Sequence, residues 1–166
     1  MKGIVFTGNR TLEVREFPVP EPGRGEVLVR VMATGICGSD LHVYRSEKVP
    51  GQIAGHEPSG VVEAVGPEVL RVQPGDRVTV HHHQGCGVCP NCARGEVVAR
   101  AKEPGTATPT TRSFAHYLVV DERNCVALPP SVSFIDGAFM ACVGGTAYGA
   151  YRRLSAVGHE SVAVFG

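Results

Sequence analysis

The sequence predicts a mainly β fold with a few helices, arranged as a sandwich or a partly open barrel. The 21 glycines and 12 prolines are spread along the 166 residues, and short runs of β-branched or apolar residues recur between them. This alternation of short strands and turns is typical of all-β domains. After Pro130 the apolar residues instead recur at helical spacing, which adds a helical segment.

The strands are predicted in order from runs of β-branched and apolar residues. They cover residues 2–7, 12–17, 26–34, 60–65, 77–81, 114–120 and 125–128. Turn residues separate the runs, as at Pro22-Gly23, Gly66-Pro67 and Pro74-Gly75-Asp76. Residues 103–112, rich in Thr, Pro and Gly, are expected to form a flexible loop.

The helical segment begins after Pro130. Ser133 is placed to cap it, with Asp136 three residues on as a weaker substitute for the usual Glu. Its apolar positions are Ala147, Ala150, Tyr151 and Leu154. We expect Gly158 to end the helix.

The last segment, residues 161–166, has the pattern of a buried strand that reaches a glycine. A dinucleotide-binding fold begins with an apolar strand that runs into Gly-x-Gly-x-x-Gly, and only the first glycine, Gly166, falls within this chain. We therefore expect residues 1–153 to form a domain of their own. Residues 154–166 are expected to begin a nucleotide-binding Rossmann domain that the chain lacks, with an ordinary C-terminal strand as the alternative.

Charge and composition argue against several classes of function. The 16 Lys and Arg balance the 16 Asp and Glu, so there is no basic excess to favour nucleic acid or an anionic membrane. No signal-peptide core or membrane-length apolar run is present, which predicts a cytoplasmic protein. In that compartment the six cysteines are expected to be ligands or packing residues, while their even number leaves a disulfide set open.

The cysteines and histidines fall into two groups. Cys86, Cys89 and Cys92 follow one another at two-residue gaps, which is how a loop wraps a tetrahedral ion. Cys37, His56 and Cys142 are far apart in the chain, which suggests a second ion held by the fold itself. Sites of that second kind more often keep an open coordination position for chemistry. The sequence therefore predicts a zinc-dependent catalytic domain.

Four motifs occur in order at residues 35–42, 55–62, 66–78 and 141–148. Their sequences are Gly-Ile-Cys-Gly-Ser-Asp-Leu-His, Gly-His-Glu-Pro-Ser-Gly-Val-Val, a Gly-x-x-Val that leads to Pro-Gly-Asp-Arg-Val, and Ala-Cys-Val-Gly-Gly-Thr-Ala-Tyr. Through them the whole chain resembles the N-terminal catalytic domain, of GroES-like fold, of the zinc-dependent medium-chain alcohol and polyol dehydrogenases. The resemblance implies a GroES-like partly open β-barrel that stops at the first strand of a Rossmann domain.

The resemblance implies that Cys37, His56 and Cys142 hold a catalytic zinc, with Glu57 as a fourth ligand or a partner that exchanges with water. The residue types fit, because two thiolates and a neutral imidazole leave zinc a moderate Lewis acid that can bind an alcohol oxygen. The alternative is that the two cysteines are small buried apolar groups and that His56 is a core histidine.

The resemblance also implies a proton relay through Ser39 and His42, and a contact in which Asp40 orients the ring of His56. Ser39 as a helix cap and Asp40 as a surface residue at a helix start are the alternatives. The residues implied to contact NAD or NADP are Thr146 and Gly166.

The cysteine cluster departs from the family pattern. The fourth cysteine expected eight positions after Cys92 is Arg100, whose guanidinium cannot bind a metal. We expect no stably bound zinc at Cys86, Cys89 and Cys92, since structural zinc sites are almost always four-coordinate. Completion of the site by water or by another side chain stays open; the candidates are Glu96, Glu103 and His81–His83. The three histidines end a strand and alternate faces there, so we expect a solvated strand end or a pocket rim.

The function that these observations predict is that of an NAD(P)-dependent zinc oxidoreductase acting on a small alcohol or polyol. The chain alone is expected to be inactive, and a homo-oligomer of the full-length protein stays open. The alternatives are a zinc-binding scaffold and a zinc-free oxidoreductase resembling the quinone reductases. A zinc finger lacks its basic face here, and a His-Glu-x-x-His protease is excluded because Pro58 and Gly60 follow Glu57.

Overall fold

The computed structural model describes residues 1–49, 51–83, 85–86, 89–95, 112–155, 157–158 and 160–165. Its strands are β1 (Lys2–Gly8), β2 (Thr11–Glu16), β3 (Glu26–Gly35), β4 (Glu57–Val65), β5 (Arg77–Val80), β6 (Tyr117–Asp121) and β7 (Cys125–Ala127). Its helices are α1 (Gly38–Arg45), α2 (Pro90–Ala93), α3 (Phe134–Phe139) and α4 (Gly145–Leu154), with a 3-10 turn at Glu122–Asn124 and a π-helical turn at Met140–Gly144. The predicted mainly β fold with a few helices is confirmed.

The larger sheet is antiparallel throughout and has the strand order β6-β3-β4-β5-β7. Strands β1 and β2 form a separate antiparallel pair. Single bridges from Gly3 to Ala115 and from Val5 to Ile53 tie β1 to the segments around residues 53 and 115. The long strands β3 and β4 therefore lie at the centre of the larger sheet.

Two groups of buried side chains form the core. The first lies on the larger sheet, where residues two apart in β3, β5 and β6 share one face. Its members are Val27, Val29, Val62, Val78, Val80, Leu118, Val120 and Cys125. The second joins β1 to its neighbours through Val5, Phe6, Ile53 and Phe114. Cys125 is 5% exposed and packs in the first group, as the sequence predicts.

The helix after Pro130 forms where it was predicted. The Ser133 hydroxyl accepts a hydrogen bond from the backbone N–H of Asp136 at 3.1 Å, which caps α3. The end of α4 was predicted wrongly, because the helix stops at Leu154 and Ser155 takes a left-handed conformation with φ of 52°. None of the helices that the structure describes is long and apolar enough to cross a membrane.

The strand predicted at residues 161–166 is not formed by the residues described, and the assignment of residues 154–166 to the start of a Rossmann domain stays a prediction. Residues 160–165 form no strand and their side chains are exposed. The physical reason is pairing, since a strand needs a neighbour for its backbone hydrogen bonds and none of the described strands lies beside this segment. Gly166 lies outside the described residues.

Gly60 allows β3 and β4 to approach closely, and its replacement tests the packing of the sheet. A Cβ at this position would overlap the carbonyl oxygen of Arg30 in β3. Gly60→Ala should lower the free energy of unfolding by about 2 kcal/mol, because neither backbone can move without disturbing the core. Urea unfolding measures the change.

The matched control is Gly149→Ala in α4, where a Cβ meets no atom within 4 Å. This change should stabilise the chain by about 0.5–1 kcal/mol through helix propensity. Equal unfolding midpoints for Gly60→Ala and the unaltered chain would contradict the close approach.

Candidate metal centre

Four metal-binding side chains from distant parts of the sequence meet at one point. One donor atom from each of Cys37, His56, Glu57 and Cys142 lies within 4.8 Å of the others. The sulfurs of Cys37 and Cys142 are 4.0 Å apart although 105 residues separate them in the chain. The fold therefore brings together the residues that the sequence placed at a catalytic metal.

The pairing of β3 with β4 positions three of these residues. Gly35, at the end of β3, lies opposite Glu57, the first residue of β4. Cys37 follows β3 and is the N-cap residue of helix α1, and His56 immediately precedes β4. Because the two strands run antiparallel, the end of one and the start of the other share one edge of the sheet, where the three donors meet.

Cys142 reaches the same point from a helix. It lies in the π-helical turn at Met140–Gly144, which joins α3 directly to α4. Such wide turns are rare and occur frequently at functional sites. Helix α3 is fixed on the sheet by hydrogen bonds from the Ser59 hydroxyl to the Phe134 carbonyl and from the Thr79 hydroxyl to the Gly137 carbonyl, the latter at 2.7 Å.

Asp40 holds His56 in place. Its carboxylate is 6% exposed; one oxygen lies 3.2 Å from Nδ1 of His56 and the other accepts the backbone N–H of Cys37 at 2.9 Å. The hydrogen bond to Asp40 raises the pKa of His56 to about 9. With Nδ1 engaged, Nε2 is the nitrogen left for an ion. A metal ion would therefore displace a proton from this ring.

The two cysteines of the cluster differ in acidity. Burial raises the pKa of Cys37, but hydrogen bonds from the hydroxyl and the backbone N–H of Ser39 outweigh it, and the net shift is downward. Burial, with the nearby Cys37 sulfur, raises the pKa of Cys142 to about 12. Cys37 is thus the thiol that ionises first, with Ser39 as the donor that stabilises its thiolate.

Glu57 supplies direct support for a bound cation. Its side chain is 2% exposed, and Oε1 is buried with no hydrogen-bond partner among the described residues. A buried polar atom of this kind is rare in native structures, and a bound ion or an ordered water molecule can serve as its partner. Two thiolates, an imidazole and a carboxylate are all donors that zinc accepts. The residues present therefore fit a zinc ion.

A cleft of about 580 Å³ opens beside this cluster. Its lining residues are His81, His82, His83, Ala141, Cys142, Gly145, Thr146, Gly149, Ala150 and Arg153. The cleft lies next to Cys142 and is large enough to admit a small organic molecule.

The three histidines of this cleft gather instead of alternating between faces. The expectation of alternation is wrong because β5 ends at Val80 and the side-chain amide of Asn124 then binds the carbonyls of His81 and His83. The ring of His82 lies 4.9 Å from that of His56 and 4.0 Å from that of His83. Burial lowers the pKa of His82 to about 4. The pocket-rim interpretation agrees with this arrangement.

The remaining predicted residues lie around the cleft and on α1. Ser39 and His42 are exposed on α1, three residues apart and so on neighbouring positions of one face. Thr146 is exposed on α4 and lines the cleft. The roles of these residues in proton transfer and cofactor binding stay predictions.

The second cysteine cluster is separate from the first. The sulfurs of Cys86, Cys89 and Cys92 lie within 4.8 Å of one another. His81–His83, which were also candidates for this site, are described and do not join the cluster. The other candidates, Glu96 and Glu103, and the position of Arg100 lie outside the described residues.

Known proteins are similar to this chain in sequence and in fold. The family described as alcohol dehydrogenase GroES-like domain matches residues 23–130. YphC of Escherichia coli strain K12, an uncharacterized zinc-type alcohol dehydrogenase-like protein, is 39% identical over 100% of this chain and 51% of its own length. The chain spans about half the length, or less, of the curated relatives it matches.

Two of the similar solved structures hold a metal or a cofactor. The cobalt- and zinc-bound thermostable alcohol dehydrogenase of Pyrobaculum aerophilum is 32% identical with a TM-score of 0.80, over 92% of this chain and 48% of that one. A short chain alcohol dehydrogenase of Escherichia coli CFT073, complexed with cofactor NADH, is 32% identical with a TM-score of 0.74, over 84% of this chain and 42% of that one.

Gly35 leaves room for the Glu57 carboxylate, and its replacement tests whether that carboxylate contributes to metal binding. A Cβ at Gly35 would overlap Oε2 of Glu57. Gly35→Ala should displace the carboxylate and weaken cobalt(II) binding about 10-fold, measured by the thiolate-to-cobalt absorption in a titration. Gly38→Ala, where a Cβ meets nothing within 4 Å, is the control. Equal affinity of both variants would show that Glu57 contributes nothing.

Asp40 can be tested by removing its charge alone. Asp40→Asn keeps the shape of the side chain but loses the charge that holds the His56 ring, so the affinity for zinc should fall about 10-fold to 100-fold. Competition with a chromophoric chelator measures the change. Asp76→Asn, a charge change at a surface turn whose carboxylate binds the Gln73 N–H, should leave the affinity unaltered. The same affinity for both variants would refute the orienting role.

Proposed function

Because the chain belongs to the family of alcohol dehydrogenases with a GroES-like domain, as its four motifs predicted, we propose that it provides the zinc-binding catalytic half of an NAD(P)-dependent alcohol or polyol dehydrogenase. The observation that carries this proposal is the convergence of Cys37, His56, Glu57 and Cys142, whose donor atoms lie within 4.8 Å of one another. The buried and unpartnered Oε1 of Glu57 supports a cation at that point.

In this proposal Cys37, His56 and Cys142 hold the zinc and Glu57 is a fourth ligand that can give way to another. Zinc in such a site supplies a Lewis acid that lowers the pKa of an alcohol hydroxyl. The ligands come from two strand ends and a helix, so they are held rigidly by the sheet. The cleft beside Cys142 gives the alcohol a place to lie.

The proposed route for the alcohol proton begins on α1. Ser39 would accept the proton through a hydrogen bond while giving up its own, and His42 would pass a proton on towards solvent. Histidine suits the second step because its unperturbed pKa is close to neutrality. Both side chains are exposed on α1. Asp40 takes no proton in this scheme and keeps the His56 ring oriented towards the metal.

The proposed hydride acceptor is NAD or NADP. Support comes from the related Escherichia coli CFT073 structure, which holds NADH. In the proposed arrangement Thr146 contacts the cofactor from the cleft, and residues 154–166 begin the nucleotide-binding domain with Gly166 as its first phosphate-loop glycine. The proposed setting is the cytoplasm, where six cysteines present as thiols stay reduced.

A second proposal concerns the chain by itself. Since it spans about half of YphC, we infer that the isolated chain binds zinc without turning over alcohol. This differs from the first proposal only in what the chain does alone, and an assay of zinc content together with alcohol oxidation separates the two.

Removal of one ligand tests the zinc assignment. Cys37→Ala should lose the zinc of this site, measured as metal per chain after dialysis, and should abolish NAD(P)-dependent alcohol oxidation in a form that also carries a nucleotide-binding domain. Cys125→Ala is the control, because Cys125 is buried in the core away from both clusters. Retained zinc and turnover in Cys37→Ala would refute the assignment.

A further inference from the structure

The cluster formed by Cys86, Cys89 and Cys92 is not needed for the proposed chemistry. It lies in the connection between β5 and β6, and the sulfurs of Cys86 and Cys92 are 4.0 Å apart. All three sulfurs lie within 4.8 Å of one another. Three thiols held this closely, yet not joined in a disulfide, form a soft metal-binding group.

The backbone prepares the thiols for a ligand. The N–H of Cys89 donates to the sulfur of Cys86 at 3.3 Å, and the N–H of Cys92 donates to the sulfur of Cys89 at 3.4 Å. Helix α2 starts at Pro90 directly after Cys89, which fixes the spacing of the last two cysteines. The backbone hydrogen bond from Cys92 by itself lowers the pKa of Cys89, but burial and the neighbouring sulfurs of Cys92 and Cys86 outweigh it, and the net shift is upward.

Within the part of the chain that the structure describes, the cluster supplies three donors. Among the residues that the structure describes, no other cysteine, histidine or carboxylate joins the group. The chain has no spare thiol to offer, because Cys37 and Cys142 meet at the other centre, Cys125 packs in the core and position 100 is arginine. A structural zinc ion is almost always held by four protein ligands. The described residues therefore do not by themselves complete the shell of such a zinc ion.

We propose that Cys86, Cys89 and Cys92 form a three-thiolate site for a soft, thiophilic ion that three sulfurs saturate, of the class that includes Cu(I) and As(III), and not for a four-coordinate zinc. Such ions prefer sulfur to nitrogen or oxygen donors. Three sulfur ligands complete the coordination of such ions, so they need no fourth ligand. Zinc at the same place needs a water molecule in its shell and exchanges readily.

Arsenite provides a clean probe because its reaction has a fixed stoichiometry. As(OH)₃ exchanges its three hydroxyl groups for three thiolates; three As–O bonds break, three As–S bonds form, and the three thiol protons leave with the hydroxyls as three water molecules. The arsenic stays in the +3 state, so no oxidant or reductant takes part. Each chain should gain one arsenic atom and lose three hydrogen atoms at this site.

The test uses the full chain kept reduced with a phosphine, in the Cys37→Ala background so that the first centre cannot contribute. Mass spectrometry after addition of arsenite should show one arsenic bound with the loss of three hydrogens. Cys89→Ser in the same background should lose this adduct, whereas Cys125→Ala should keep it. Circular dichroism confirms that each variant is folded. No adduct in the Cys37→Ala chain, or an adduct that survives Cys89→Ser, would overturn the proposal.

Zinc retention is a second test of the proposal. In the Cys37→Ala background, zinc should be removed from the chain by a chelator, and Arg100→Cys, which restores the fourth thiol, should convert the chain to one that keeps zinc through the same treatment. Zinc retained without Arg100→Cys would overturn the proposal by revealing a fourth protein ligand. Loss of zinc from both chains would also overturn it, since the missing thiol would then not determine which ion is held.

Discussion

The antiparallel register of β3 and β4 is the constraint on which the rest of the structure depends. Opposing Gly35 to Glu57 sets Cys37, His56 and Glu57 around one point. A shift of one residue would turn every side chain of β4 to the other face of the sheet and carry Glu57 away from the two cysteines. The glycines at the contact, Gly35 and Gly60, let the neighbouring chain come close enough for this register to form.

Much of the architecture could be predicted from the sequence because it is local. Strands with β-branched residues and the Ser133 cap follow from nearby residues alone, and both were found. The segment after residue 160 has the residue pattern of a strand but forms none, because none of the described strands pairs with it. The end of α4 at Ser155 gives no signal either, because a left-handed serine has none of the sequence character of a glycine stop.

At the candidate metal centre, too, some contacts could be predicted from the sequence and others could not. The grouping of Cys37, His56 and Cys142 followed from residue types and motifs, and Asp40 was expected beside His56. The place of His82 next to His56 could not be inferred, since it depends on where β5 ends and on the amide of Asn124, 43 residues from His81 in the chain. The hydrogen bonds from Ser39 to the Cys37 sulfur could not be predicted either, because they depend on side-chain orientation at the start of α1.

The two cysteine clusters differ in how they are assembled. Cys37 and Cys142 are brought together across 105 residues, so that centre exists only when the sheet and α3 are folded together. Cys86 and Cys92 are six residues apart, and closing so short a loop costs little entropy. The centre built on Cys37 is therefore coupled to global folding, whereas the three-cysteine cluster is organised within its own segment. The π-helical turn that carries Cys142 has a further consequence for the helix beyond it. An α-helix advances about 100° per residue, so the extra residue in that turn rotates all of α4 about its axis. Thr146, Gly149 and Arg153 share the cleft-facing side with Cys142 only in this angular phase. A single insertion or deletion between positions 140 and 144 would therefore turn the cleft-lining side of α4 away from the cleft.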